Sequence, residues 1–326
     1  MTTMNTQLGV VDEVTYGTPV TVTKFFEFNS FGVKTVPGNT ESSALRRGQR
    51  TMRSDRTEPY VVGAEGPVEF DVPTKGFGFW LKHMLGSVST SAVVDSNYTH
   101  TGVEGSLLGD YFTMQVNKPF HPAGTDQAHT FEGCKIKSWE LKCDVDGVLI
   151  CSLDVDAEAE STAIALATAV YPTSYRVFSF VGASMTFAAG AVELKSFSVK
   201  GENALNTDRR FLRASELKKE PTENGMRTYT WSAEAEHVSL ANFDRLRANT
   251  APGRQAAIVA TFNGPIAHGG ATLPQVLVTI PVARFDTVDF DIAGPDGLMD
   301  SLSGVALSDG TNSPVTIAYR STDITP

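Results

Sequence analysis

Five arginines, Arg46, Arg47, Arg50, Arg53 and Arg56, fall within eleven residues of "ALRRGQRTMRSDRTEPYVVGAEG" (44–66). Guanidinium groups at that density suit phosphates or carboxylates, because each offers a fixed fork of donors and a permanent charge. The chain as a whole is acidic, with a formal charge of -10 and a pI near 5.1. Binding to a phosphate backbone needs a net basic face, and Asp55, Glu58 and Glu65 interrupt the basic run. Carboxylates on another copy of the same protein are therefore the expected partners, with Tyr60, Val61 and Val62 as apolar anchors. Acidic residues gather elsewhere. "DVDGVLICSLDVD" (144–156) carries Asp144, Asp146, Asp154 and Asp156, and residues 286–300 hold Asp286, Asp289, Asp291, Asp296 and Asp300 with no base among them. The first stretch opens like a calcium loop but lacks the further oxygen ligands and the Glu at position twelve. It is predicted instead to be a hairpin turning near Gly147. Period-two alternation then puts Asp144 with Asp146, and Asp154 with Asp156, on one acidic face. That face is either simply solvated or an acidic surface built twice and multiplied by assembly.

Other chemistry is hard to assemble. The six histidines are scattered, and no HExxH, GxSxG or P-loop pattern occurs, so no enzyme, metal site or cofactor is expected. Cys134, Cys143 and Cys151, spaced nine and eight apart, form neither a disulfide framework nor a CxxC knuckle. They read as buried free thiols in strands, consistent with a reducing compartment. No apolar run approaches the roughly 18–20 residues that span a bilayer. "MTTMNTQLGVVDEVTYG" does not read as a signal peptide, and a cytosolic site of synthesis is expected.

The elements that must position these residues are mostly strands. The chain has 326 residues, 41% hydrophobic and 20% charged, enough for about two ordinary domains. Alternation runs through "PVEFDV" (67–72), "KIKSWELKCDV" (135–145, with Trp139 out of step), "RTYTWSAEAE" (227–236) and "QVLVTIPVARF" (275–285). This is the pattern of an all-β sandwich or barrel. One helix is predicted in "VPTKGFGFWLKHMLG", where Phe77, Trp80, Leu81, Met84 and Leu85 share a stripe, with Thr74 as N-cap and Gly86 after the end. From Leu45 to Pro67 no alternation holds, so a long loop is predicted there.

The chain also repeats itself. "GTPVTVTKFFEF" (17–28) parallels "ATAVYPTSYRVFSF" (167–180), and "GNTESSAL" (38–45) parallels "SVKGENAL" (198–205), each soon followed by arginines. Val72 and Phe77 match Val238 and Phe243, and "KIKSWEL" (135–141) matches "PVARFDT" (281–287) with Trp139 opposite Phe285. The matches keep one order while their offsets move from 160 to 166 to 146, as insertions in loops require. Two similar β-sandwich domains are predicted, 1–165 and 166–326, each with a short helix and a long loop. The second loop, "LNTDRRFLRASELKKEPTENG" (205–225), carries Arg209, Arg210 and Arg213 among mixed charge. "EAESTAIALATAVYPTS" is the predicted connection.

The segments "DEVTYGTPVTVTKFFEF", "LRRGQRTMRSDRTEPYVVGAEGPVEFDVPTKGFGFWLKHMLG" and "FEGCKIKSWELKCDVDGVLICSLDVDAE" resemble tail tube proteins of long-tailed bacteriophages, and "LVTIPVARFDTVDFDIAGPDGLMDSLSGVALSDG" is similar to the ending of single-domain tube proteins. The resemblance implies β-sandwich domains whose sheets join into a barrel, in rings that stack as a conduit for DNA and tape-measure protein. Three two-domain chains would close a pseudo-hexameric ring, and the arginine loop would reach a neighbouring ring. The acidic faces, Asp286, Asp289 and Asp291 included, would suit a lumen that passes DNA without specific binding. Tape-measure, tail terminator and baseplate proteins would be partners, with assembly in the bacterial cytoplasm and no membrane contact. Two alternatives remain: a tandem β-sandwich adhesin or carbohydrate-binding module, and another virion part such as a tail terminator or baseplate hub. Clustered exposed aromatics would mark the first, whereas Trp80, Trp139 and Trp231 sit at apolar periodic positions.

Overall fold

The computed structural model describes residues 3–93, 95–120, 125–268, 270–289 and 297–326. His121, Asp291 and Asp296 lie outside the described residues. The first half contains β1 (Leu8–Asp12), β2 (Lys24–Phe26), β3 (Ser30–Phe31), β4 (Lys34–Glu41), β5 (Thr57–Asp71), α1 (Gly78–Leu85), β6 (Gly86–Ala92), β7 (Tyr98–Glu104), β8 (Phe112–Asn117), β9 (Ala128–Asp144), β10 (Ile150–Ala157) and β11 (Ala159–Ser161). The second contains β12 (Ala183–Phe187), β13 (Gly190–Val192), β14 (Leu194–Glu202), β15 (Leu205–Asn206), β16 (Thr222–Glu223), β17 (Thr228–Glu236), α2 (Ala241–Arg247), β18 (Gln255–Asn263), β19 (Gln275–Asp289), β20 (Met299–Leu307) and β21 (Thr316–Ser321). The fold is mainly β, as its alternation requires: in β17, Tyr229, Trp231, Ala233 and Ala235 are buried while Thr228, Thr230 and Ser232 face out.

Strand pairing has one order in each half. β4-β5-β10-β9 form one layer, and β14-β17-β20-β19 form another in the same sequence. The opposing layers run β2-β1-β8-β9-β11 and β13-β12-β18-β19-β21. The long strands β9 and β19 each belong to both layers of their half. A helix follows β5 in one half and β17 in the other. The halves are joined where β9 pairs with β14, Trp139 opposite Gly201, and again where β7 pairs with β21. The first joint makes eight strands continuous. The predicted connection is not a free tether, since residues 165 and 167 bond Gln115 of β8 and Gln7 bonds the Ala167 carbonyl.

Three local details follow from elementary geometry. In β9, Ser138 faces Asp154 while Ile136 faces Val155, leaving Lys137 as an extra bulged residue. The bulge resets the alternation, so Ile136 and Trp139 both reach the core. Helix α1 ends as predicted: Gly86 adopts φ 92° and its N–H bonds the Lys82 carbonyl. Its N-terminus does not. Phe77 occupies the cap position, and Thr74 is buried, accepting from the Arg176 N–H. The predicted loop is also shorter than 45–67. β5 begins at Thr57 and pairs with β4, because Gly63 and Gly66, at φ 140° and 153°, carry the chain through two irregular points without ending the strand.

Candidate assembly surfaces

The register across the joined layers builds one broad polar face. Cross-strand partners share a side of a sheet, so one row reads Asp71, Ile150, Lys142, Ser198, Ser232, Ser303, Thr287. The next reads Glu69, Ser152, Glu140, Lys200, Thr230, Val305, Arg284, and the row on the other side Asp144, Ser196, Glu234, Ser301, Asp289. Hydroxyls and carboxylates dominate. Four cations of this face are held by carboxylates: Lys137 by Glu65 at 2.8 Å and Asp154 at 3.0 Å, Lys142 by Asp144 at 2.9 Å, Lys200 by Glu202 at 2.6 Å, and Arg284 by Asp286 at 2.6 Å, while Lys195 at the start of β14 is exposed. Burial opposes the Lys137 charge, but the hydrogen bonds it donates to Glu65 and Asp154 outweigh that and raise its pKa, and the bond to Glu65 lowers the pKa of that carboxyl. Glu69, Asp71, Glu140, Glu234 and Asp289 add negative charge without adding a cation. Asp146 lies in the 145–149 turn beside this face, at φ 64°. The hairpin turns near Gly147 as predicted, with the Gly147 N–H bonded to the Asp144 carbonyl.

Asp156 shares the polar side of β10 but is not open to solvent. The connection between β14 and β17 folds over it, and Lys218 meets its carboxylate at 2.6 Å, both side chains about 4% exposed. Burial pushes the Asp156 carboxyl up, and Lys218 pulls the other way. Beside it Lys135, 2% exposed, donates to Glu220 at 2.6 Å and to the Leu107 and Pro221 carbonyls. Its pKa is lowered by burial, against the pull of Glu220. The Gly109 N–H donates to Glu220 and the Val61 N–H to Glu216. All three arginines of this loop bond backbone carbonyls of the same chain: Arg209 that of Glu220 and Arg213 those of Leu217 and Lys218 within the loop, and Arg210 that of Val62 on β5 while stacking over the Tyr60 ring at 5.2 Å. Tyr60, Val61 and Val62 are thus half-buried on β5, against Gly38 and this loop of the same chain.

The corresponding connection between β4 and β5, residues 42–56, is a long hairpin end that stands clear of the body. Arg53 closes on Asp55 through two hydrogen bonds of 2.8 and 2.5 Å. Among the described residues Arg46, Arg47, Arg50 and Arg56 hold no side-chain hydrogen bond or ion pair, and all four are exposed. Leu45 is 101% exposed.

Four arginines of the first loop are left exposed, whereas those of the second bond backbone carbonyls of the same chain. Lys135, Lys218, Glu216 and Glu220 were not singled out by sequence; the second loop reads only as one of mixed charge, and the fold reveals the partners of its lysine and carboxylates. The described histidines do not converge. His83 meets Asp12, His129 meets Glu160, His237 meets Asp300, His100 meets Thr90, and His268 meets Thr74. Among the described residues no three His, Cys, Asp or Glu side chains are placed to hold a metal ion. Among the described residues no helix is long and apolar enough to cross a membrane. The three cysteines are buried and free. In comparison with known proteins, residues 3–306 match the family model described as phage tail tube protein. No curated protein matches the chain significantly.

Proposed function

The chain belongs to the phage tail tube protein family, and from that premise we propose that three copies close each ring, with 1–165 and 166–326 acting as two tube domains of one pseudo-hexameric layer. As a member of that family it is a structural component of the virion tail, self-assembling into a tube alongside other tail components. The observation that carries the finer reading is the internal joint. β9 of one half pairs with β14 of the other. Among the described residues, β4 pairs only with β5, and residues 285–289 of β19 pair only with β20. These edges occupy the places that β14 and β9 occupy in the joint. Open antiparallel edges are templates for another chain, so the contact made once inside the chain is available again between chains.

Three chains joined this way enclose a barrel whose inner wall is the polar face. Its hydroxyls and carboxylates, with Lys137, Lys142, Lys200 and Arg284 already paired, repel or ignore a passing phosphate backbone, whereas a wall of open lysines would hold it. Asp144, Asp154, Asp286 and Asp289 belong to that wall in this reading. Asp156 instead helps fix the second loop. The tape-measure protein occupies the lumen before ejection, and tail terminator and baseplate proteins cap the stack. Assembly takes place in the bacterial cytoplasm, and the role is architectural rather than enzymatic. Cryo-electron microscopy of the purified protein tests the reading. Rings of threefold symmetry with six similar lobes are expected; rings of six whole chains, or a monomer at every concentration, would overturn it.

A further inference from the structure

The continuous sheet has two dissimilar ends. The 42–56 and 203–227 connections leave it at one end, and the 145–149 turn and the bend between β13 and β14 lie at the other. At that second end the seam between the halves opens into a groove of about 240 Å³. Val145, Phe180, Met185 and Leu194 give it an apolar lining; Asp144, which also pairs with Lys142 at 2.9 Å, and Glu193 bring carboxylates to it beside Lys195. Asp146 is exposed on the adjoining turn. Val145 is 50% exposed and Phe180 36%, so apolar surface is left uncovered there. The opposite end shows the complement, an exposed Leu45 flanked by Arg46 and Arg47, with Met52 52% exposed across the hairpin.

We propose that this groove receives the tip of the 42–56 hairpin from a second copy stacked head to tail. Leu45 enters the apolar lining, while Arg46 and Arg47 lie against Asp144, Asp146 and Glu193. The pairing rests on the tube reading and adds the receiving site to it. Charge selects the direction: two hairpin ends repel each other and so do two acidic ends, whereas unlike ends attract. A contact between two different patches of one molecule does not close on itself along the stacking axis, so it propagates. The apolar anchor matters because exposed ion pairs alone contribute little.

The test uses the full chain carrying Leu45→Cys and Val145→Cys, both at exposed positions, with Leu45→Cys and Ser232→Cys as the comparison, since Ser232 lies on the polar face away from either end. Oxidation of the assembled first variant is expected to give a ladder of disulfide-linked chains on a non-reducing gel, collapsed by reductant and missing from the comparison. Charge exchange supplies a second arm. Asp144→Arg with Glu193→Arg is expected to stop stacking, and adding Arg46→Glu with Arg47→Glu is expected to restore it. Tubes that form without a ladder, or a charge exchange that fails to restore stacking, would overturn the groove while leaving the tube reading intact. Failure of the unaltered protein to form tubes with other tail components present would overturn both.

Discussion

The two long connections, 42–56 and 203–227, occupy the same place in the repeated strand order and meet opposite fates. The second is folded against its own chain by two buried lysines, three internally bonded arginines and two carboxylates that accept backbone N–H groups. The first projects with four exposed arginines that, among the described residues, hold no side-chain hydrogen bond or ion pair. In the proposed ring, a two-domain chain needs its internal joint once and its external joint many times. On that reading, the loop fixed by buried charge lies where the neighbouring domain is covalently attached, and the exposed, charged loop lies where a separate copy must arrive.

The largest expected effect of breaking this contrast is at the fixed loop. Lys218→Met leaves Asp156 buried without its cation, which costs about 3–5 kcal/mol. The denaturant midpoint of the unassembled chain should fall accordingly, and Asp156→Leu added to Lys218→Met should recover much of the loss. The next effect is at the joint itself. A Cβ at Gly201 would stand 2.5 Å from the Trp139 ring, so Gly201→Val overpacks the seam at about 1–3 kcal/mol. Calorimetry should show the single transition broadening or splitting as the halves uncouple.

A pH dependence belongs to the same region. Burial, and then the charge of Glu132, raises the Glu158 carboxyl to about 7, with Arg213 and Lys218 of the fixed loop opposing. Between its ordinary 4.5 and about 7 the folded chain holds a proton that the unfolded chain releases. That contribution is full below the unfolded pKa and is lost as pH rises through the folded one. Thermal midpoints of the unassembled chain should therefore decline from mildly acidic to mildly alkaline buffer, and Glu158→Gln should flatten the decline.

How much of this was legible beforehand depends on what kind of force set each feature. Alternation is local, so β17 and the hairpin at Gly147 could be read directly, as could the Gly86 stop of α1. The end of β5 is legible in "PVEFDV", but its first part, residues 57–66, was hidden because Pro59, Gly63 and Gly66 interrupt the pattern, while pairing with β4 holds the strand together. Trp139 fell out of step because a bulge is invisible until its partner strand is known. The fixed loop was illegible for a stronger reason. Lys218 and Asp156 are 62 positions apart, and nothing in either neighbourhood distinguishes a buried lysine from a solvated one.

The smallest expected effect sharpens the comparison best within a single chain. Arg210→Ala removes a bond to the Val62 carbonyl and the stacking on Tyr60, at about 1 kcal/mol. Arg47→Ala removes nothing the chain uses and should stay within about 0.5 kcal/mol. Paired unfolding curves of the two unassembled variants check the difference.

If the exposed hairpin links rings while the fixed loop holds the chain together, replacing Arg46, Arg50 and Arg53 together by Glu should separate the two roles. Electron microscopy of tube length, alongside thermal unfolding, should then show chains with an unchanged unfolding midpoint that form rings and fail to stack. Tubes of normal length would show that the hairpin is not the link between rings, and a chain that no longer folds would show that it belongs to the core.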